Sequence, residues 1–227
     1  MSFSWNSDKY IKLVEKTSDS ILRDYMSAEL SVIDKIENPK EKTLIDVGAG
    51  YGRVISHLSE IGRKVIAVET DKNLLPELKK RASQHSNVSV IEGDAQNLSQ
   101  LLKGFDIQKP VLVCLQNTLG TPVGDPFKIL SEMIKVAKDN EGEIIISLLI
   151  QEGLKDFGIP MYSKLPELVG ELDLEKTDFE KGIFISKTDY LSHWWKPEER
   201  KRMTEIIGGT KVKEITEKYF HILHAKY

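Results

Sequence analysis

Residues 43–54, TLIDVGAGYGRV, followed by residues 64–69, KVIAVE, decide the fold. Residues 44–47 are an apolar run of strand length. Gly48, Gly50 and Gly52 then space a turn, and residues 53–61 carry Val54, Leu58 and Ile61 at helical spacing before Gly62. A strand, a glycine turn and a helix start in that order let backbone N–H groups approach a nucleotide-like ligand. Asp46 enters the turn. Glu69 lies 19 residues after Gly50 and ends the next apolar run. An acid at a strand tip can accept both hydroxyl hydrogens of a ribose. The spacing is G-x-G-x-G, not the G-x-G-x-x-G of a dinucleotide site, and Arg53 stands at the third glycine position of that pattern. A pyrophosphate cradle needs close helix–strand packing there, which argues against NAD or FAD.

Outward from this turn, strands and helices alternate. Residues 65–69, 88–92, 111–115 and 143–150 read as further strands, the last (EIIISLLI) apolar enough to be buried on both faces. Between them lie helices carrying Leu74, Leu75 and Leu78, then residues 98–102, then Phe127, Leu130, Ile134 and Ala137 behind Pro126. Alternation of this kind predicts a parallel sheet with right-handed crossovers. Before it, residues 6–37 read as helical, with Ile21, Leu22, Tyr25, Met26, Leu30, Ile33 and Ile36 on one face, ended by Asn38-Pro39. After it, residues 151–181 break the pattern with Gly153, Gly158, Pro160, Pro166 and Gly170. Residues 182–192 return as a strand, 197–207 as a helix, and 212–227 as mostly strand.

At 227 residues, 40% of them hydrophobic, the chain fits one α/β domain. That domain comprises a helical cap (1–40), a ligand-binding core (41–150), a lid (151–181) and a C-terminal portion (182–227). The net charge of −3, from 32 basic and 35 acidic residues, gives no general reason to expect a nucleic-acid partner, and no long basic run is visible. One cysteine, Cys114, excludes an internal disulfide and a cysteine metal cluster. His221 and His224 lie three apart in a strand, on opposite faces, so no metal is expected. The N-terminus shows no apolar signal segment and no stretch is long enough to span a bilayer, so a cytoplasmic protein without a membrane partner is expected. Oligomeric state is not readable.

The glycine turn, the ribose acid Glu69 and the later acid Asp94 resemble the class I, Rossmann-like S-adenosylmethionine-dependent methyltransferases over roughly residues 40–150. The resemblance implies a seven-stranded, mostly parallel sheet of order 3-2-1-4-5-7-6, its last strand antiparallel, with helices on both faces. It implies S-adenosylmethionine as cofactor. Gly48 and Gly50 would pass close to its methionine part and ribose, and Asp46 would reach its α-ammonium. Glu69 would bind the 2′- and 3′-hydroxyls, and Thr70 would flank the adenine. Asp94 and the Ala95 N–H would meet the adenine edge, and Leu115 and Gln116 would line the methionine end. Each acid also has a purely structural reading: Asp46 as organiser of the turn amides, Glu69 as a solvated strand end, Asp94 as a helix cap.

On the acceptor side the loop after the fourth strand reads CLQNTLGTPVGDP. The Asn-Pro-Pro-aromatic signature of amino-methyltransferases for DNA, protein glutamine and adenine is absent. QNTLG looks more like the loop of small-molecule methyltransferases, including glycine N-methyltransferase-like enzymes. The expectation is therefore methyl transfer to a nitrogen or oxygen of a small molecule, with no nucleic-acid partner. The alternatives are a protein- or RNA-modifying methyltransferase, or a noncatalytic S-adenosylmethionine-binding module. Asn117 and Thr118 could hold the acceptor, or could serve turn chemistry. In residues 190–195, YLSHWW, period two puts Tyr190, Ser192 and Trp194 on one face and Leu191, His193 and Trp195 on the other. His193 is the candidate general base, against the alternative of packing beside tryptophan, and Tyr190 is a candidate positioning group. Met161, Tyr162 and Leu165 would cover the substrate, and the N-terminal helix would close the other side, with Tyr10, Arg23 or Tyr25 near the cofactor's carboxylate.

Overall fold

The computed structural model describes residues 5–121 and 124–227; residues 122–123 of the acceptor loop and the first four of the N-terminal segment lie outside the described residues. In chain order the elements are α1 (Ser7–Glu15), α2 (Ser20–Ile33), β1 (Thr43–Val47), α3 (Ile55–Ile61), β2 (Lys64–Glu69), α4 (Leu75–Ala82), β3 (Val88–Glu92), α5 (Leu98–Leu101), β4 (Val111–Cys114), α6 (Pro126–Asp139) and β5 (Glu143–Leu149). Then follow α7 (Ile159–Ser163), α8 (Pro166–Val169), β6 (Ile183–Ile185), β7 (Leu191–His193), α9 (Pro197–Ile207), β8 (Lys211–Thr216) and β9 (Phe220–Lys226).

Seven strands form one sheet in the order β3-β2-β1-β4-β5-β9-β8. The four pairings among β3, β2, β1, β4 and β5 are parallel, and β9 runs antiparallel between β5 and β8, with Glu143 opposite Lys226 and Leu149 opposite Phe220. This is the seven-stranded, mostly parallel sheet expected. Alternate residues of each strand enter two cores. Leu44, Val65, Val111 and Ile145 pack toward Ile33 of α2 and Leu58 of α3. Ile45, Ile66, Leu112 and Ile146 pack toward Leu98 of α5, Met133 of α6 and Ile207 of α9. Every residue of β1 and β5 is buried, which is why both read as largely apolar runs.

Three boundaries differ from the sequence reading. The helical stretch 6–37 is two helices, because the Asp19 carboxylate accepts the N–H groups of Ile21 and Leu22 at 3.0 and 3.1 Å and caps a new helix. The break lets α1 fold back over the carboxyl edge of the sheet. Residues 182–192 are not a strand of the main sheet. They contribute to a separate two-stranded hairpin, β6–β7, in which Ile183 pairs with His193 and Asp189 takes a left-handed conformation (φ 61°). The stretch 212–227 is split into two paired strands, the edge strand β8 and β9 between it and β5.

At the amino end of β5, Glu143 is a buried anchor. Its carboxylate accepts from Lys42 and from His224 Nε2 (2.6 Å), with Lys226 at 3.7 Å. Burial pushes its pKa up, but these partners more than offset that and hold it down at about 2. A carboxylate depressed in the folded state adds stability above its unfolded pKa, and that contribution is lost as pH falls toward 2. Wild type should therefore lose about 3 kcal/mol more than Glu143→Gln between pH 5 and pH 2. Urea unfolding across that range checks it. Parallel curves for the two proteins would remove Glu143 from the acid response.

Candidate active site

The cleft opens where β1 to β4 end, at the carboxyl edge at which open α/β sheets bind ligands. Its floor is the glycine turn. Gly48 has φ +73°, and a Cβ there would meet Thr118 Cγ2 at 2.4 Å, so turn and acceptor loop approach as only glycine permits. Gly50, also at positive φ, donates its N–H to Glu69 Oε2 at 2.6 Å. Glu69 Oε1 accepts from the N–H groups of Thr70 (2.8 Å) and Asp71 (2.7 Å). Burial raises the Glu69 pKa, and the three amide bonds oppose that. Glu69, Thr70, Asp94, Ala95, Gly48, Gly50 and Gln116 all line the cleft. Asp94 also caps the turn after β3, accepting from the Gln96 N–H at 2.8 Å, which is the structural role read for that acid.

Asp46 and Leu115 lie one layer deeper. They line a small cavity beside the turn, together with Arg53, Tyr51, Gln116 and Thr118. Asp46 is 3% exposed, and burial pushes its pKa up to about 7. That carboxylate would hold its charge more readily beside a cation than as it stands.

Two groups that sequence reasoning missed organise the acceptor loop. Glu29 of α2 is fully buried, and its carboxylate accepts from the Arg53 guanidinium, the Ser147 hydroxyl of β5 and the Gln116 N–H (2.7 Å). Arg53 signalled itself as a large charged residue where close helix packing would favour a small one. Glu29 carried no signal, since a lone acid on an amphipathic helix normally faces water.

The other wall is aromatic. Tyr10 of α1 stacks on Trp5 (4.6 Å between centroids) and donates its hydroxyl to Gln116 Oε1 at 3.1 Å. Tyr190 meets Trp5 edge-on at 5.6 Å. Tyr162 donates to Ser192 Oγ at 2.9 Å and accepts from Trp194 Nε1 at 3.2 Å. Burial pushes the Tyr10 pKa up to about 12 and those of Tyr162 and Tyr190 upward too, so all three phenols stay protonated at neutral pH. Met161, Tyr162 and Leu165, expected over the substrate, do line the cleft, as do Tyr10 and Tyr25, whereas Arg23 does not.

Two acceptor-side expectations need correction. Asn117 does not face the cleft. Its side chain is spent inside the protein, donating to the His193 carbonyl at 3.0 Å and accepting from the Leu149 N–H (3.1 Å) and Trp195 Nε1 (3.0 Å). It joins the acceptor loop to β5 and to the segment after β7. His193 stacks on Trp195 (4.3 Å, 11° between planes) and bonds Glu199 Oε2 at 3.0 Å, outside the cleft. Period two placed it correctly on the face opposite Tyr190, and that face is not the chamber's.

Comparison with known proteins bears on this geometry. The family model described as ribosomal RNA adenine dimethylase matches residues 16–117. A curated relative from Koribacter versatilis, named ribosomal RNA small subunit methyltransferase A, is 32% identical over 187 residues, covering 78% of this chain and 59% of its own length. The chain spans roughly half to two thirds of the length of the first such relatives it matches. Among solved structures, the CcbJ methyltransferase from Streptomyces caelestis superposes with TM-score 0.60 at 17% identity, covering 98% of both chains. The magnesium protoporphyrin IX methyltransferase from Synechocystis, with SAH bound, gives 0.60 at 14%, covering 96% of this chain and 93% of its own. The sequence matches overturn the expected small-molecule acceptor and the expected absence of a nucleic-acid partner, because the relatives are named for ribosomal RNA. The loop QNTLG misled because it was read as a substrate signature, whereas Asn117 serves the packing of the loop. Sheet order, cleft position and structural neighbours agree: the chain has the fold of the class I S-adenosylmethionine-dependent methyltransferases.

Proposed function

We propose that this chain is a methyltransferase that moves the methyl group of S-adenosylmethionine to the exocyclic amine of an adenine in RNA, with ribosomal RNA as the substrate class. The observation that carries the reading is the span of the family match. Residues 16–117 take in much of the cleft, from Leu22 through the glycine turn, Glu69 and Asp94 to Gln116. Glu69 would hold the ribose hydroxyls of S-adenosylmethionine, Thr70, Asp94 and Ala95 would take its adenine, and Asp46, Leu115 and Gln116 would take its methionine end. The aromatic wall that includes Tyr10 and Tyr190 would favour a sulfonium cation.

The reaction is an in-line displacement. The adenine nitrogen lone pair forms the new C–N bond as the S–C bond breaks, sulfur keeps that electron pair, and the nitrogen gives its proton to water. The donor is already activated, so positioning supplies most of the acceleration. Gln116 Oε1, held by Tyr10, is the acceptor for an amine N–H, and Tyr190 forms part of the aromatic wall against which the base would pack. No side chain of the chamber is placed as a strong base.

Three outcomes follow. Incubated with methyl-labelled S-adenosylmethionine and unmodified small-subunit RNA, the protein should yield labelled N6-methylated adenosine after nuclease digestion. Label in protein alone would sink the RNA reading, and cofactor binding without transfer to any acceptor would make the chain a binding module. His193→Ala should keep its turnover per folded molecule, read by thermal unfolding and activity on the same sample. A loss of 10²-fold or more with the fold intact would restore a base role. The third outcome concerns Asp46. Pairing with the α-ammonium requires the ionised acid, so cofactor affinity should fall roughly eightfold from pH 7.5 to pH 6, with proton release on binding at pH 7. Calorimetric titration in buffers of different ionisation heat measures both. In Asp46→Asn binding should be weaker and flat in pH over that range. A flat wild-type profile would take Asp46 off the ammonium.

A further inference from the structure

Beside the cleft runs a second, larger concavity of about 780 Å³, a groove between α1 and the α7–α8 segment. Lys9, Lys12 and Lys16 line one wall. Their spacing of three and four residues puts them on a single face of the helical turn, with charges about 4.5 and 6 Å apart along the axis. Lys164 stands on the facing wall. All four are exposed. Lys9 bridges the groove, bonding the Glu167 carbonyl at 3.2 Å and lying 3.3 Å from its carboxylate, which pins α1 to α8. Among the described residues the ammonium groups of Lys12, Lys16 and Lys164 have no ion pair. The other groove acid, Asp19, is engaged as the cap of α2.

The groove and the cleft share a wall. Leu13, Leu22, Met161, Leu165 and Leu168 line both. A cationic track on one side of a thin apolar partition, with the methyl-transfer chamber on the other, fits a chain that carries regular negative charge and also projects flat apolar groups. A single RNA strand is such a chain. Its phosphates need cations, and an unstacked base needs an apolar passage. An acidic polypeptide would match the lysines but has no use for the partition.

Resting on the RNA reading above, we propose that the α1–α8 groove is the path of the single-stranded RNA segment flanking the target adenine. Lys12, Lys16 and Lys164 hold its phosphates, and the target base enters the chamber past Leu13, Met161 and Leu165. This places the substrate strand on the N-terminal helix, not along the outer sheet edge at β8.

The test uses the whole chain and a labelled, unstructured 20-nucleotide RNA rich in adenine, read by fluorescence anisotropy across a salt series. The triple variant K12Q/K16Q/K164Q should bind roughly tenfold more weakly or worse at low salt. Its log–log salt slope should be shallower by about 2, since each lost single-strand phosphate contact removes about 0.7. Its S-adenosylmethionine affinity and melting temperature should stay at wild-type values, because these lysines touch neither cleft nor core. If wild type binds and methylates RNA while the variant matches it in affinity and slope, the groove assignment fails and the RNA reading stands. If a poly-glutamate of the same length displaces the RNA at equal concentration, the groove is a site for acidic polypeptide and the proposal is overturned. If wild type neither binds nor methylates RNA, both readings fall together.

Discussion

The carboxylate of Glu29 is the interaction on which the site's geometry depends. It is fully buried, and it joins four pieces of chain: α2 that carries it, the glycine turn through Arg53, β5 through Ser147, and the acceptor loop through the Gln116 N–H. A buried charge is costly unless paired and hydrogen-bonded, and here it has a cation and two further donors. Gln116 and Asn117 both sit in the left-handed region, at φ 50° and 58°, where a side chain costs about 1–3 kcal/mol and persists only if its surroundings over-determine it. The surroundings do. Glu29 holds the first residue by its backbone, and the Asn117 amide holds the second by three internal bonds. The acceptor edge of the chamber is thus set by an element that belongs to the N-terminal cap.

The chamber that results suits positioning chemistry. Its hydroxyls are phenols whose burial keeps the proton on, so none of them serves as a base toward a substrate. The nearest histidine is turned away and stacked on Trp195. A sulfonium donor tolerates such a site because its leaving group departs neutral, leaving the enzyme to align the nitrogen and exclude water.

Net charge says little about the proposed RNA partner. A total of −3 averages over the whole surface, whereas binding senses charge within about 10 Å at ordinary salt. Lys9, Lys12 and Lys16 are spread over eight residues with acids between and after them, so no run announces them. Lys164 is remote in sequence. Helix α1 and the turn after α7 bring the four to one groove.

The sequence by itself determined the sheet and the cofactor edge. Buried parallel strands need unbroken apolar runs, and a turn that lets backbone touch a ligand needs glycine, so residues 43–54, 65–69 and 143–150 carry their structure openly. Glu69 and Asp94 were readable for the same reason, being polar residues forced to the ends of such runs. Only the tertiary structure decided the acceptor side. Whether Asn117 faces a ligand or the core, and whether His193 or Tyr190 meets the chamber, depend on contacts between segments 30 to 120 residues apart, such as Asn117 with Leu149 and Glu29 with Ser147. Local periodicity assigns a residue to a face of its own strand or helix. It does not say what that face will meet, because the facing surface is supplied by a distant part of the chain.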